Sequence, residues 1–247
     1  MIRIKDYEEL KVRIVNWLKD YYWKYDIKAF VVGVSGGIDS AVVSTLCAKT
    51  ELPTYVLTMP LHSKEGNTKL SDAHAKALMK KYSNVRVVNI DLSDTYESLL
   101  FNIDQDFVNN KLANANTKSR LRMVSLYQVA GSVGGIVVGT GNKVEDYGVG
   151  FYTKYGDGGV DIAPIADLYK SEVWELGEYL EVDQRIVDAK PTDGLWDDGR
   201  NDEDQIGATY VELEEAMENK TGVALNILEE YNKKNKHKME PIPTFKL

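Results

Sequence analysis

The sequence predicts an α/β fold, a parallel β-sheet with helices on both faces. Three observations carry this. Short runs that are apolar throughout, such as KAFVVGV (28–34), alternate with segments of helical periodicity. Strands of that composition are buried on both sides, as in parallel sheets covered by helices. Two of the runs end in Gly-rich turns, VVGVSGGIDS (31–40) and VVGTGNKVED (137–146), and such sheets bind ligands at the carboxyl ends of their strands. Finally, 247 residues with 43% hydrophobic and 28% charged side chains make an ordinary globular composition, long enough to bury roughly three-quarters of the unfolded surface.

Each element follows in order. Tyr7, Leu10, Val12, Ile14, Val15, Leu18, Tyr21 and Tyr22 recur at helical spacing, with Lys, Arg and Glu between them, so a first helix is expected. KAFVVGV (28–34) is a buried strand and IDSAVVSTLCAKT (38–50) a helix. TYVLTMP (54–60) is a strand that stops at Pro60. SDAHAKALMKKY (71–82) is a helix with Ser71 or Asn67 as its cap. VRVVNIDL (85–92) is the third strand, KSRLRMVSLYQVAGS (118–132) a helix and GIVVGT (135–140) the fourth strand. The second half reads as helices over 169–180, 208–219 and 223–236. The acidic, Gly-rich and aperiodic stretch 190–207 reads as a mobile loop.

Composition excludes several classes. No apolar run approaches the ~20 residues a membrane span needs, and the N-terminus lacks a signal-peptide core. A cytoplasmic protein without a membrane partner is expected. Cys47 is the only cysteine, which rules out a disulfide framework and a cysteine zinc cluster. It reads as a small buried hydrophobe in a helix. A net charge of -8 is poor for gripping a polyanion, so no nucleic-acid partner is expected.

The SGGIDS turn holds the strongest chemical signal. It lacks the lysine of a Walker loop, and its glycines at 33, 36 and 37 do not fit the dinucleotide fingerprint G-x-G-x-x-G. Its physics still suits pyrophosphate. Gly36 and Gly37 allow a sharp turn and close approach. Backbone N–H groups and a helix N-terminus face the ligand, and Ser35 and Ser40 add hydroxyls. An aspartate beside an anion makes sense if the phosphate arrives with Mg²⁺, which binds carboxylates together with phosphate oxygens. Asp39 alone could equally cap the helix that follows.

SGGIDS resembles the pyrophosphatase loop of the N-type ATP-pyrophosphatases. RLRMVSLYQVA (120–130), VVGTGNKVED, FYTKYGDGGVDIAPIADLYKSEV (151–173), KPTDGLW (190–196) and NDEDQIGATYVELE (201–214) follow in one order. Together they resemble the ammonia-dependent NAD synthetases across nearly the whole chain. The resemblance implies a single domain over 1–247 with the Rossmann-like, adenine nucleotide alpha hydrolase-like fold. It implies a homodimer that makes NAD from deamido-NAD, ATP and ammonia, with Mg²⁺. Carried over residue by residue, Gly33, Val34, Ser35, Gly36, Gly37, Ile38, Asp39 and Ser40 hold ATP phosphates. Thr140, Lys170 and Thr192 also face ATP, and Asp39 and Glu145 ligate Mg²⁺. Arg120, Lys154 and Asp161 hold deamido-NAD, and His237 and Lys238 close on it. Asp39, Lys170 and Asp161 are the implied catalytic residues. The proton of ammonium has no obvious acceptor beyond Asp161 or Asp157, and the loops at 190–207 and 61–68 are the implied lids.

Two features depart from the family pattern. Six residues, Asp146 to Phe151, separate Glu145 from Tyr152, one more than usual, and Val144 stands where a small polar residue is common. Glutamine-dependent relatives use an extra domain with a nucleophilic cysteine. Here 27 residues precede the first expected strand, so free ammonia is the expected nitrogen donor. Two other classes compete. A tRNA-modifying ATP-pyrophosphatase, such as a thiolase or lysidine synthetase, needs a basic surface and often a CxxC pair. A non-catalytic nucleotide sensor needs no pair of metal carboxylates.

Overall fold

The centre of the fold is a four-stranded sheet of order β3-β2-β1-β4 in which every neighbouring pair is parallel. A computed structural model describes residues 3–62, 65–192 and 201–246. The strands are β1 (Phe30–Gly33), β2 (Thr54–Thr58), β3 (Val85–Asn89) and β4 (Ile136–Val137). Phe30 of β1 stands opposite Thr54 on one side and Ile136 on the other. The chain steps outward from β1 to β3 and then returns to the far side of β1. The switch in strand order therefore lies between β1 and β4, and the loops leaving these two strands open a crevice between them. Those loops are the two Gly-rich turns singled out above.

Side chains alternate along β1 and separate two cores. Phe30 and Val32 join the core packed by α1 (Tyr7–Lys24), α2 (Ile38–Lys49), α3 (Glu65–Lys81) and α6 (Lys170–Tyr179). Val31 joins Leu57 and Val137 on the opposite face, under α4 (Ser93–Phe101) and α5 (Lys111–Val133). Helices cover both faces, as the unbroken apolar strands require. A third cluster lies beyond the strand ends. It joins a π-helical turn over Val144–Val149 to α8 (Asp202–Ile206), α9 (Tyr210–Asn219) and α10 (Leu225–Met239). The short α7 (Gln184–Val187) follows α6.

The structure differs from the sequence expectations in several places. The helix expected from 71 begins at Glu65, and the one expected from 118 begins at Lys111. Asn110 caps the latter by accepting from the Ala113 N–H at 3.0 Å, so its polar first turns are helical without an apolar stripe. The unexpected α4 buries only Tyr96, too little for a periodic signal. The strand expected over 135–140 is regular only at Ile136–Val137, because Gly139 donates instead to the Ile162 carbonyl at 2.7 Å. The last helix runs through His237 and Lys238, and its basic last turn suits the helix dipole. Cys47 is buried and unpaired, as expected. Of the two loops expected to be lids, residues 193–200 and 63–64 lie outside the described residues; beside the first, Asp202–Ile206 is helical rather than aperiodic. Among the described residues no helix is long and apolar enough to cross a membrane.

Candidate active site

The turn after β1 is built by its own hydroxyls. Ser40 Oγ accepts from the Ser35 N–H at 3.1 Å and donates to the Gly37 carbonyl at 3.0 Å. Ser35 Oγ accepts from the Gly37 N–H at 3.2 Å. Gly36 has φ +92°, in the region where a side chain is strained. Gly37 is the N-cap of α2 with no side chain of its own to satisfy that end, so the first N–H groups of α2 are free to meet an anion.

Asp39, in the first turn of α2, does not meet that anion bare. Its Oδ2 accepts from Lys170 Nζ at 2.5 Å and its Oδ1 from Asn142 Nδ2 at 3.1 Å. Lys170 Nζ also donates to Glu145 Oε1 at 3.0 Å, and the Tyr210 hydroxyl donates to the same oxygen at 2.7 Å. Lys170 is only 2% exposed. Burial alone would discharge its ammonium, but Asp39 and Glu145 hold it charged, with a pKa above the ordinary lysine value. Asn142 Oδ1 accepts from the backbone N–H groups of Val144 and Glu145, both at 3.1 Å. That pins the start of the π-helical turn that carries Glu145.

A π turn pairs i with i+5 and so holds one residue more than an α turn. Gly150 closes it, its N–H on the Glu145 carbonyl.

Two carboxylates that converge on one cation suit a hard divalent ion. Among the described residues no three His, Cys, Asp or Glu side chains are grouped to hold a metal unaided. This donor set fits Mg²⁺, which takes one or two carboxylates and completes its shell with water and substrate phosphate.

These groups line one cavity of about 690 Å³ between the ends of β1 and β4, a size that accommodates a nucleotide-sized ligand. Gly33, Val34, Ser35, Gly37, Ile38, Asp39, Ser40, Thr140, Glu145, Lys170 and Thr192 are all in its wall, and Gly36 belongs to the same turn. Arg122, Asp146, Asp157, Asp202 and His62 line it too. Of these only Asp157 was given a chemical role in the sequence reading. Asn142 and Tyr210 complete the list of missed residues. Both stood inside quoted segments, Asn142 in VVGTGNKVED and Tyr210 in NDEDQIGATYVELE, but neither was given a role. The Asp146 carboxyl is pushed up to about 7 by burial and by Glu145, Asp157 and Asp39.

The remaining sequence candidates lie elsewhere. Asp161 Oδ2 accepts from the Val137 N–H at 2.7 Å and Oδ1 from the Tyr127 hydroxyl at 3.0 Å. It closes the exposed edge of β4 and is not in the cavity wall. Arg120 turns outward to the Lys154 carbonyl, at 3.3 Å from Nη2, while Arg122, two residues on, faces the cavity. Lys154 Nζ donates to the His237 carbonyl at 2.9 Å, and Lys238 Nζ to the carbonyls of Gly150 and Tyr152. Arg120, Lys154, His237 and Lys238 thus form a separate basic group around the TKYGDGG loop. Of the two acceptors considered for the ammonium proton, Asp157 lines the cavity and Asp161 does not.

Known proteins resemble this chain over most of its length. The model of the NAD synthase family matches residues 10–242. The chain is 41% identical over 213 residues to the NH(3)-dependent NAD(+) synthetase of Mycoplasmopsis pulmonis, covering 85% of this chain and 79% of that protein. It is 34% identical over 238 residues to that of Carboxydothermus hydrogenoformans, covering 94% and 95%. The solved NMN synthetase of Francisella tularensis superposes with a TM-score of 0.91 at 35% identity, over 99% of this chain and all of that one.

Proposed function

The chain belongs to the NAD synthase family, and from that premise we propose that it joins ammonia to the nicotinic acid carboxyl of deamido-NAD while splitting ATP to AMP and pyrophosphate. Its family makes it an enzyme, a ligase that forms a C–N bond. The observation that carries the proposal is the convergence of Asp39 and Glu145 on Lys170 at the mouth of the SGGIDS turn.

The substrate carboxylate attacks the α-phosphorus of ATP, and the bond to the β-phosphate oxygen breaks. The N–H groups of the Ser35–Ser40 turn take the departing pyrophosphate, and Lys170 neutralises charge that develops on the phosphates. Asp39 and Glu145 would hold the Mg²⁺, which supplies charge neutralisation at the phosphate oxygens. Ammonia then attacks the acyl carbon of the adenylate, AMP leaves, and the surplus proton passes to a carboxylate in the wall, for which Asp157 is the better placed of the two considered. Thr140 and Thr192 contact ATP. The basic group of Arg120, Lys154, His237 and Lys238 takes the outer part of the dinucleotide. Asp161, by its contacts, acts through β4. A homodimer is supported by apolar residues left exposed around α4 and α5, among them Phe101 at 84% and Phe107 at 71%.

Incubating the protein with ATP, Mg²⁺ and deamido-NAD, with ammonium in one tube and glutamine in another, tests this. NAD and AMP are expected with ammonium alone; NAD formed equally from glutamine contradicts the donor assignment. The close superposition on an NMN synthetase favours one second reading, the same chemistry on the mononucleotide acid. Comparing kcat/KM for the two acids side by side decides between them.

A further inference from the structure

We propose that Lys170 is an exchangeable counter-ion, occupying the place between Asp39 and Glu145 until metal and nucleotide arrive together. The inference rests on the magnesium assignment proposed above. Lys170 Nζ lies 2.5 Å from Asp39 and 3.0 Å from Glu145, so it fills space between the two carboxylates that a shared cation would take. A divalent ion and an ammonium cannot both hold that position without strong mutual repulsion. One must leave.

Each carboxylate has a neutral partner that can stay behind when the lysine goes. Asp39 keeps the Asn142 amide on Oδ1, and Glu145 keeps the Tyr210 hydroxyl and the backbone tether through Asn142. The pair is therefore held in place for a new cation. The displaced ammonium, by contrast, gives up ion pairs at 2.5 and 3.0 Å, which bound phosphate can replace. Its side chain starts at the first residue of α6 and lines the same cavity as the Ser35–Ser40 turn, so phosphate bound there is within its surroundings. Without nucleotide, displacement breaks both buried ion pairs with no phosphate to replace them, which is costly. Free metal is thus disfavoured, and metal that arrives with phosphates is favoured. Lys170 changes partner from carboxylate to phosphate in the same event.

Mn²⁺ serves as the probe, read by electron paramagnetic resonance with no turnover. Without nucleotide the wild-type protein is expected to bind it weakly, and Lys170→Met, of similar shape but without charge, at least ~10-fold more tightly, the scale on which partners of metal ligands act. With ATP present both proteins bind the ion, and the variant holds ATP less tightly than wild type. Equal nucleotide-free affinity in the two proteins overturns the exchange while leaving the metal assignment intact. Mn²⁺ bound by neither, even with ATP, overturns both. Because the variant leaves two carboxylates without their cation and can fail to fold, a second readout uses the wild-type protein: acetic anhydride labelling of Lys170, followed by peptide mass spectrometry. Saturating Mn²⁺ alone is expected to raise Lys170 labelling several-fold. Labelling that does not change while the metal is bound contradicts the proposal.

Discussion

Asp39 touches both the lysine and Asn142 and sits in the first turn of α2. Asp39→Asn keeps the shape and removes the charge. It is expected to lower kcat/KM by about 10²–10³-fold, the scale for losing one group that stabilises transition-state charge. Tyr210→Phe removes the hydroxyl from Glu145 without opening a cavity, and its Mg²⁺ requirement in a steady-state assay is expected to rise ~10-fold. An unchanged requirement would deny Tyr210 a part in holding Glu145.

His74 lies away from the chemistry, buried between α3 and α2 with Nε2 2.9 Å from Ser44 Oγ. Burial lowers its pKa to about 4, below the value near 6.5 of an unfolded chain. The folded protein therefore binds fewer protons than the unfolded one between those values. The stability is present in full above pH 6.5 and is lost as pH falls through 4, to a total of about 3 kcal/mol. Urea midpoints at pH 7 and 4.5 measure it. A His74→Gln variant should show a flatter dependence, and an unaltered slope would contradict this reading.

At the scale of elements, β4 and its edge decide how the crevice is framed. Asp161 takes the Val137 N–H and the Tyr127 hydroxyl at that edge. Its alanine variant is expected to lose about 1.5–3 kcal/mol, the range for hydrogen bonds to a charged group, with kcat changed little. A large fall in kcat with unchanged melting temperature would instead make Asp161 a direct participant. The elements themselves were legible to different degrees. Apolar runs marked β1, β2 and β3, and their lack of alternation marked both faces as covered. Helix beginnings were read late at α3 and α5 because their first turns hold mostly polar residues and one cap, Asn110. Nothing local marks a π-helical turn, which depends on Asn142 holding the N–H groups of Val144 and Glu145.

At the scale of the molecule, the order β3-β2-β1-β4 brings together two loops that are about a hundred residues apart in sequence, with Asn142 bonded to Asp39 across a separation of 103. The Gly-rich turn was enough to single out Asp39, while Glu145 and Lys170 were named only through the family resemblance. That one ammonium joins them, and that Tyr210 from α9 supports Glu145, depends on tertiary contacts that no local pattern encodes. The basic group at Lys154 and His237 was read as part of the ligand site, and it stands outside the main cavity. A dimer built on the exposed apolar residues of α4 and α5 predicts twice the chain mass by light scattering, and Phe101→Asp is expected to shift it toward monomer.

Adenylation of the substrate carboxyl in this cavity passes one of its oxygens to AMP. Deamido-NAD carrying ¹⁸O in its nicotinic carboxyl, turned over with ATP and ammonium, tests it most directly. Mass spectrometry of the products is expected to find one ¹⁸O in the phosphate of AMP and none in pyrophosphate. Formation of ADP, with the label in inorganic phosphate, would contradict it.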